Sequence, residues 1–224
     1  MGMSVLTAVL YKGFPKLPSA AVAVSASAGT AIAVEESLVA AAQAGDLTAF
    51  ESIYSTYYDR IYRYVLVRIG HTTEAEDLAA DVFLRALEAI DSYNSRGVPF
   101  AAWLFRIAHN LVVDHLRRRS RRPTSVLDES LPLLDDAPDD RVVAGLTIAD
   151  ILKVMPKITD SQRQVLALRF GAGLSVAETA GVMKKRDGAV KALQHSAIGA
   201  LRRHLAKRGH EVPGHMQVPP TSSE

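Results

Sequence analysis

From about residue 36 onward, apolar side chains return every third or fourth position, the spacing that places them on one face of a helix. Phe50, Ile53, Tyr54, Tyr57, Ile61, Val65 and Ile69 form the first stripe, and Gly70 ends it. Thr73-Glu-Ala-Glu76 has the form of a capping box, in which hydroxyl and carboxylate each accept a backbone N–H at the start of a helix. Leu78, Val82, Phe83, Ala86 and Ile90 continue from it as a second stripe. Asp91 to Pro99 is dense in turn residues and predicts a loop. A third helix is predicted from about Pro99, a residue suited to a first turn, to Arg119. Phe100, Trp103, Leu104, Ile107 and Leu111 make its apolar face, and Arg106, Asn110, Asp114 and Arg117 a polar one. Five arginines fill six positions from 117 to 122, and Pro123 closes this module.

Residues 123–145 hold Pro123, Pro132 and Pro138 and no useful stripe, so they predict a linker. Helical spacing then resumes. A short helix is expected around Thr147–Val154, ending before Pro156. Thr159-Asp-Ser-Gln162 is a second capping box and opens a helix through Phe170, which Gly171-Ala-Gly173 breaks. Ser175-Val-Ala-Glu178 is a third, opening a short helix to about Met183. After a turn at Lys184–Arg186, Val190, Leu193, Ala197, Leu201 and Leu205 mark a longer helix. The tail from Gly209, with Pro213, Pro219 and Pro220, is expected to be disordered. No stretch alternates long enough to predict a strand. The expected fold is all-α: two small helical domains, at 36–122 and 146–208, joined by a flexible linker.

Charge sharpens this division. The net charge of +2 conceals six acids against one arginine in residues 123–145, and twelve basic against six acidic residues in 146–224. An acidic connector next to basic modules points to nucleic acid. The absence of cysteine excludes a disulfide framework and thiolate metal sites. The seven histidines form no ligand cluster, so no metal and no cofactor are expected. Residues 19–34 are mostly Ala and Ser, short of the ~20 strongly apolar residues that span a bilayer. Residues 1–35 are therefore expected to be a disordered or loosely helical extension; a regulatory pro-segment and an export signal are the alternatives.

Two candidate sites follow. A helix of about eight residues, a turn of three or four and a longer basic helix is the helix-turn-helix layout, in which the first helix braces the second in the DNA major groove. Lys184, Lys185, Arg186, Arg202 and Arg203 are placed to neutralise phosphates, and Lys191 and His195 to reach base edges. The bland alternative is a helical hairpin with a solvated basic face. In residues 91–122, Tyr93, Phe100 and Trp103 lie among Arg96, Arg106 and the arginine cluster. Rings interleaved with cations suit unpaired bases, each stacking contact contributing roughly 1–3 kcal/mol. Here the alternative is that Phe100 and Trp103 are core residues.

Together these segments resemble the sigma-70 family, and within it the small extracytoplasmic-function (group IV) sigma factors. Ala75-Glu-Asp-Leu-Ala-Ala-Asp-Val-Phe-Leu-Arg-Ala-Leu87 is similar to the family's region 2.2. Phe100-Ala-Ala-Trp-Leu-Phe-Arg-Ile-Ala-His-Asn110, with Asp114 and the arginines, resembles regions 2.3–2.4. Leu166–Phe170, Gly173–Ala180 and Gly188–His195 resemble region 4. The resemblance implies a promoter-specificity subunit of RNA polymerase rather than an enzyme, working in the cytoplasm without stable membrane insertion. It implies core-polymerase binding through Asp77, Asp81, Phe83 and Leu84 on the β′ clamp helices, and a further contact with the β flap. It also implies minus-ten recognition by Tyr93, Asn94, Arg96, Phe100, Trp103, Arg106, Asn110, Arg117 and Arg118. The helix-turn-helix cations and His195 would read the minus-35 element, the acidic linker would thread the RNA exit path, and an anti-sigma protein would be a further partner. The chain departs from the family where Lys184 replaces the usual glycine of the turn, and where Arg186 takes the cap position, leaving Asp187 to cap one residue later. A free-standing helix-turn-helix regulator is the alternative; a recombinase lacks any catalytic constellation.

Overall fold

A computed structural model of the protein describes residues 28–94, 98–121 and 148–210. The predicted extension up to residue 27, Arg96, Arg122, the acidic linker and the tail from 211 lie outside these residues. The described residues form eight α-helices and no strand: α1 (Ala28–Gln43), α2 (Leu47–Ile69), α3 (Thr72–Ala89), α4 (Phe100–Arg121), α5 (Ile148–Val154), α6 (Asp160–Leu166), α7 (Val176–Met183) and α8 (Asp187–Ala206). Short 3-10 turns at Ile90–Ser92 and Met155–Lys157 and a π turn at Ala167–Gly171 join some of them.

The helix boundaries follow local chemistry. The first stripe forms the single helix α2; a separate helix α1 precedes it, because Gly45 turns the chain at φ +90° and Asp46 caps α2 by accepting the N–H groups of Thr48 and Ala49. Helix α1 also starts at Ala28, upstream of the predicted onset. Gly70 ends α2 in the left-handed region, its N–H donating to the Leu66 carbonyl. The capping boxes at Thr159–Gln162 and Ser175–Glu178 both form. The one expected at Thr73–Glu76 does not: the cap falls two residues earlier, at His71, with no side-chain cap bond, and α3 begins at Thr72. Its Glu74 instead accepts from His115 Nε2 at 3.0 Å and pairs with Arg119 at 3.5 Å, tying the start of α3 to the end of α4.

Helices α1–α4 form the first module, with Ile61, Val65, Leu104, Phe105, Ala108 and Val112 fully buried. Helices α5–α8 form the second around Ile151, Leu168, Leu174, Val190, Leu201 and Leu205. Arg169 braces it, donating through Nε to Gln194 Oε1 at 2.9 Å and through Nη1 to the Leu174 carbonyl.

The modules pack directly on each other. Helix α4 lies against α7, and α2 against the π turn. Small residues permit the approach: a Cβ on Gly181 would lie 3.9 Å from that of Ala102, and one on Gly171 only 3.5 Å from the Arg63 carbonyl oxygen. Polar side chains reach across the seam as well. Arg68 pairs with Asp160 at 2.7 Å, Arg60 donates to the Ala172 carbonyl at 2.8 Å, Gln164 donates to His109 Nδ1 at 3.0 Å, and Arg106 reaches the Gly181 carbonyl at 3.4 Å.

Candidate nucleic-acid interface

The second module forms the expected short helix, turn and longer helix. Helix α7 ends at Lys184, whose φ of 52° and ψ of 45° place it in the left-handed region. A side chain there costs roughly 1–2 kcal/mol relative to a relaxed conformation, whereas glycine adopts it freely. Replacing Lys184 with Gly is expected to stabilise the module by roughly 0.5–1 kcal/mol after the glycine's larger unfolded-state entropy is counted. Thermal denaturation checks this. In a minus-35 duplex titration the same variant should bind with a salt slope shallower by about one, because one cation fewer neutralises a phosphate.

Arg186 occupies the cap position of α8 in extended conformation, without a side-chain cap bond. Asp187 does not cap; it is the first residue of the helix, where its carboxylate favours the positive end of the helix dipole. Val190, Ala197, Leu201 and Leu205 are buried, so the opposite face of α8 is set outward. Lys184, Lys185, Arg186, Lys191 and His195 are all exposed around its leading end. Arg203 is exposed near its far end, while Arg202 is half-buried. Ser196 is held by Gln162 Nε2 at 3.0 Å, which locks α8 to α6.

The first module's candidates divide. Asn110, Arg117 and Arg118 are exposed on α4 and at its end, and Asn94 is exposed where the loop begins. Phe100 is only 2% exposed and Tyr93 is buried beside it, so neither offers a face to a base. Their rings meet edge to face at 5.4 Å, and Trp103, half-buried, packs 5.2 Å from Tyr93 and 5.4 Å from Phe100. Tyr93 also donates its hydroxyl to the Val98 carbonyl at 2.9 Å, joining the loop's two ends. Arg106 is half-buried against the second module.

On α3, Asp77, Asp81 and Leu84 share an exposed face, with Leu84 at 55%. Phe83 is a core residue at 4% exposure and contributes by supporting Tyr54, whose ring lies 4.6 Å from it. Tyr54, assigned from its spacing to the buried stripe, is in fact 39% exposed, and Leu87 is 41% exposed. Tyr54 and Leu87 therefore enlarge the apolar patch that the sequence placed on Leu84. The signal for Tyr54 was its chemistry: an amphipathic ring suits a half-wet position.

The seam between modules contains the groups the sequence did not single out. Arg68 is fully buried, with Nε and Nη2 lacking partners, and depends on Asp160, whose side chain is 64% exposed. Beside it, His109 Nδ1 faces the Tyr64 hydroxyl at 3.3 Å and the Gln164 amide at 3.0 Å. Burial pushes the imidazole below its ordinary value, and the Arg68 guanidinium pushes it the same way. Its neutral form is thus favoured when the modules are packed. Packing stability is full above the ordinary value of about 6.5 and is lost as pH falls through the interval below it. We expect the modules to loosen as pH falls below about 6.5, and His109→Gln to flatten that dependence in a two-colour energy-transfer measurement.

Comparison with known proteins agrees with this layout. The family described as Sigma-70 region 2 matches residues 53–122, and Sigma-70 region 4 matches residues 154–203. The extracytoplasmic-function sigma factor SigW of Bacillus subtilis is 33% identical over 173 residues, covering 72% of this chain and 91% of its own. The chain belongs to the extracytoplasmic-function sigma factors. It is a transcription initiation factor of RNA polymerase, with a region 2 and a region 4 module. BldN of Streptomyces coelicolor is 42% identical over 170 residues, 75% of this sigma factor but 64% of BldN, so the match leaves over a third of that relative uncovered. The solved structure of CnrH with the cytosolic domain of CnrY has the same fold, with a TM-score of 0.60 at 22% identity, covering 78% of this chain and 98% of that one. Among the described residues no helix is long and apolar enough to cross a membrane.

Proposed function

We propose that this sigma factor docks on core polymerase through Asp77, Asp81, Leu84, Leu87 and Tyr54, and then reads two promoter elements with its two modules. Lys184, Lys185, Arg186 and Arg203 neutralise phosphates of the minus-35 element, while Lys191 and His195 project toward base edges. Asn94 holds the minus-ten strand together with Arg106, Asn110, Arg117 and Arg118 of α4, whose first turn is packed by Tyr93, Phe100 and Trp103. The factor contributes no reacting group; it positions DNA for the polymerase, in the cytoplasm. The observation that carries this reading is the leading end of α8, where the exposed Lys184, Lys185 and Arg186 of the preceding turn lie beside the exposed Lys191 and His195 of its outward face.

The packed modules impose a further step. Elements about 25 base pairs apart lie about 85 Å apart at 3.4 Å per pair. Helices in direct contact, such as α4 and α7, have axes about 8–10 Å apart. Both elements are read together only after the seam opens. The connecting residues 122–147 number 26 and reach at most roughly 90 Å at full extension, enough for that separation. A packed form hides Arg106, and an anti-sigma protein that holds the modules together or covers the α3 patch keeps the factor silent.

Run-off transcription with purified core polymerase over a panel of promoters tests the reading. A transcript that requires both elements is expected; no promoter-dependent transcript would sink it.

A further inference from the structure

Three guanidinium groups of the first module reach across the seam: those of Arg60 and Arg68 on α2 and of Arg106 on α4. What meets them is mostly neutral. Arg60 and Arg106 donate to the carbonyl oxygens of Ala172 and Gly181, and Arg68 to the carbonyl and carboxylate of Asp160. A guanidinium carries five N–H donors, and one buried without an acceptor forfeits its bond to water. Nε and Nη2 of Arg68 and Nε of Arg106 are buried and find no hydrogen-bond partner among the described residues. The packed form therefore leaves strong donors underused. An oxyanion with several acceptor oxygens satisfies a guanidinium better, because it accepts two parallel N–H bonds at once. The three groups also share one face. Arg60 stands over the Phe105 ring at 5.7 Å, next in sequence to Arg106, and over the Tyr57 ring at 5.0 Å. Arg68 lies close enough to His109, one turn beyond Arg106 on α4, for its charge to act on that imidazole. The exposed Asn110 follows directly.

From this arrangement we infer that Arg60 and Arg68 form, with Arg106, a phosphate-binding track for promoter DNA, covered while the modules are packed and uncovered when they separate. The inference rests on the proposed minus-ten role of α4 and extends it to α2. In the packed form the Ala172 and Gly181 carbonyls and Asp160 stand in for phosphate oxygens. Separation exchanges these acceptors for charged ones, so DNA bound on the track also holds the seam open.

The experiment measures the salt dependence of promoter complexes formed by the full-length protein with core polymerase. Each phosphate neutralised contributes about 0.7–0.9 to the slope of log affinity against log salt. For the double variant Arg60→Gln/Arg68→Gln we expect a slope shallower by about 1.5, and so roughly 30-fold weaker binding at about 0.1 M salt. Arg60→Lys/Arg68→Lys keeps both charges and should restore the slope. Arg60→Gln alone leaves the Arg68–Asp160 pair in place and should show about half the change; thermal melting confirms that each variant folds. Titration of the minus-35 duplex should give the parent's slope throughout. A role confined to the seam loosens the free protein but leaves the promoter slope at the parent's value, and that result overturns the inference. A slope that falls equally in the lysine pair overturns it too, since charge is then not the cause. Arg106→Gln separates the two levels. If it lowers the slope while the α2 variants do not, α4 binds DNA without α2. If none of them lowers it, the minus-ten assignment of Arg106 falls as well.

Discussion

Leu84→Asp is expected to abolish promoter-dependent transcription while leaving the fold intact. Leu84 stands 55% exposed on α3, so its replacement removes little buried area within the chain. Substitutions at such surface positions usually change stability by no more than about 0.5 kcal/mol. In the polymerase complex the same side chain would sit at the centre of a patch with Tyr54 and Leu87, rimmed by Asp77 and Asp81. Central apolar residues of that kind contribute about 2 kcal/mol or more to binding, and a buried, unpaired carboxylate adds a further penalty. The affinity for core polymerase should fall by at least roughly 30-fold, while binding to an isolated minus-35 duplex is unchanged. Titration of labelled protein with core enzyme decides the matter. Unaltered affinity would remove α3 from the interface.

Asp160→Arg should release the two modules from each other. Arg68 is fully buried, and Asp160 is its carboxylate partner across the seam. Removing one member of a buried pair commonly costs about 3–5 kcal/mol. Because Asp160 is largely solvated, screening reduces this to about 2 kcal/mol, still roughly a 30-fold change in the ratio of packed to separated forms. The fold of the second module is protected, since the cap of α6 is made by Thr159 and Gln162 rather than by Asp160. Small-angle scattering of the free variant should show a larger radius of gyration than the parent. With core polymerase, the variant should transcribe at least as well as the parent, because opening no longer has to be driven by binding. If modules in the polymerase-bound parent remain packed, simultaneous reading of two separated elements is excluded.

These two experiments probe parts of the molecule that differed in how plainly the sequence announced them. The helix-turn-helix was legible apart from the cap expected of Asp187. Its capping boxes at Thr159 and Ser175, its left-handed turn at Lys184 and the buried stripe from Val190 to Leu205 are all local, each fixed by residues within a turn or so of one another. The failed capping box at Thr73 shows the limit of such reasoning. Glu74 pairs with His115 and Arg119 on α4, and a helix start can shift by two residues when a distant basic group rewards it. Phe83 and Phe100 show another. Periodicity marks both as apolar helix positions next to functional neighbours, but whether a ring faces a partner or the core depends on which helix covers it.

All-helical architecture and the helix-turn-helix layout are properties of short-range pattern and composition, and they were present in the chain of letters. The docking of the modules, the burial of Arg68, the placement of His109 between Tyr64 and Gln164, and the hydrogen bonds of Gln43 to Ile90 and Tyr93 belong to three dimensions. Each joins residues between 45 and 112 positions apart. No helical or turn period extends over such intervals, so only packing, which brings distant surfaces into register, creates those contacts.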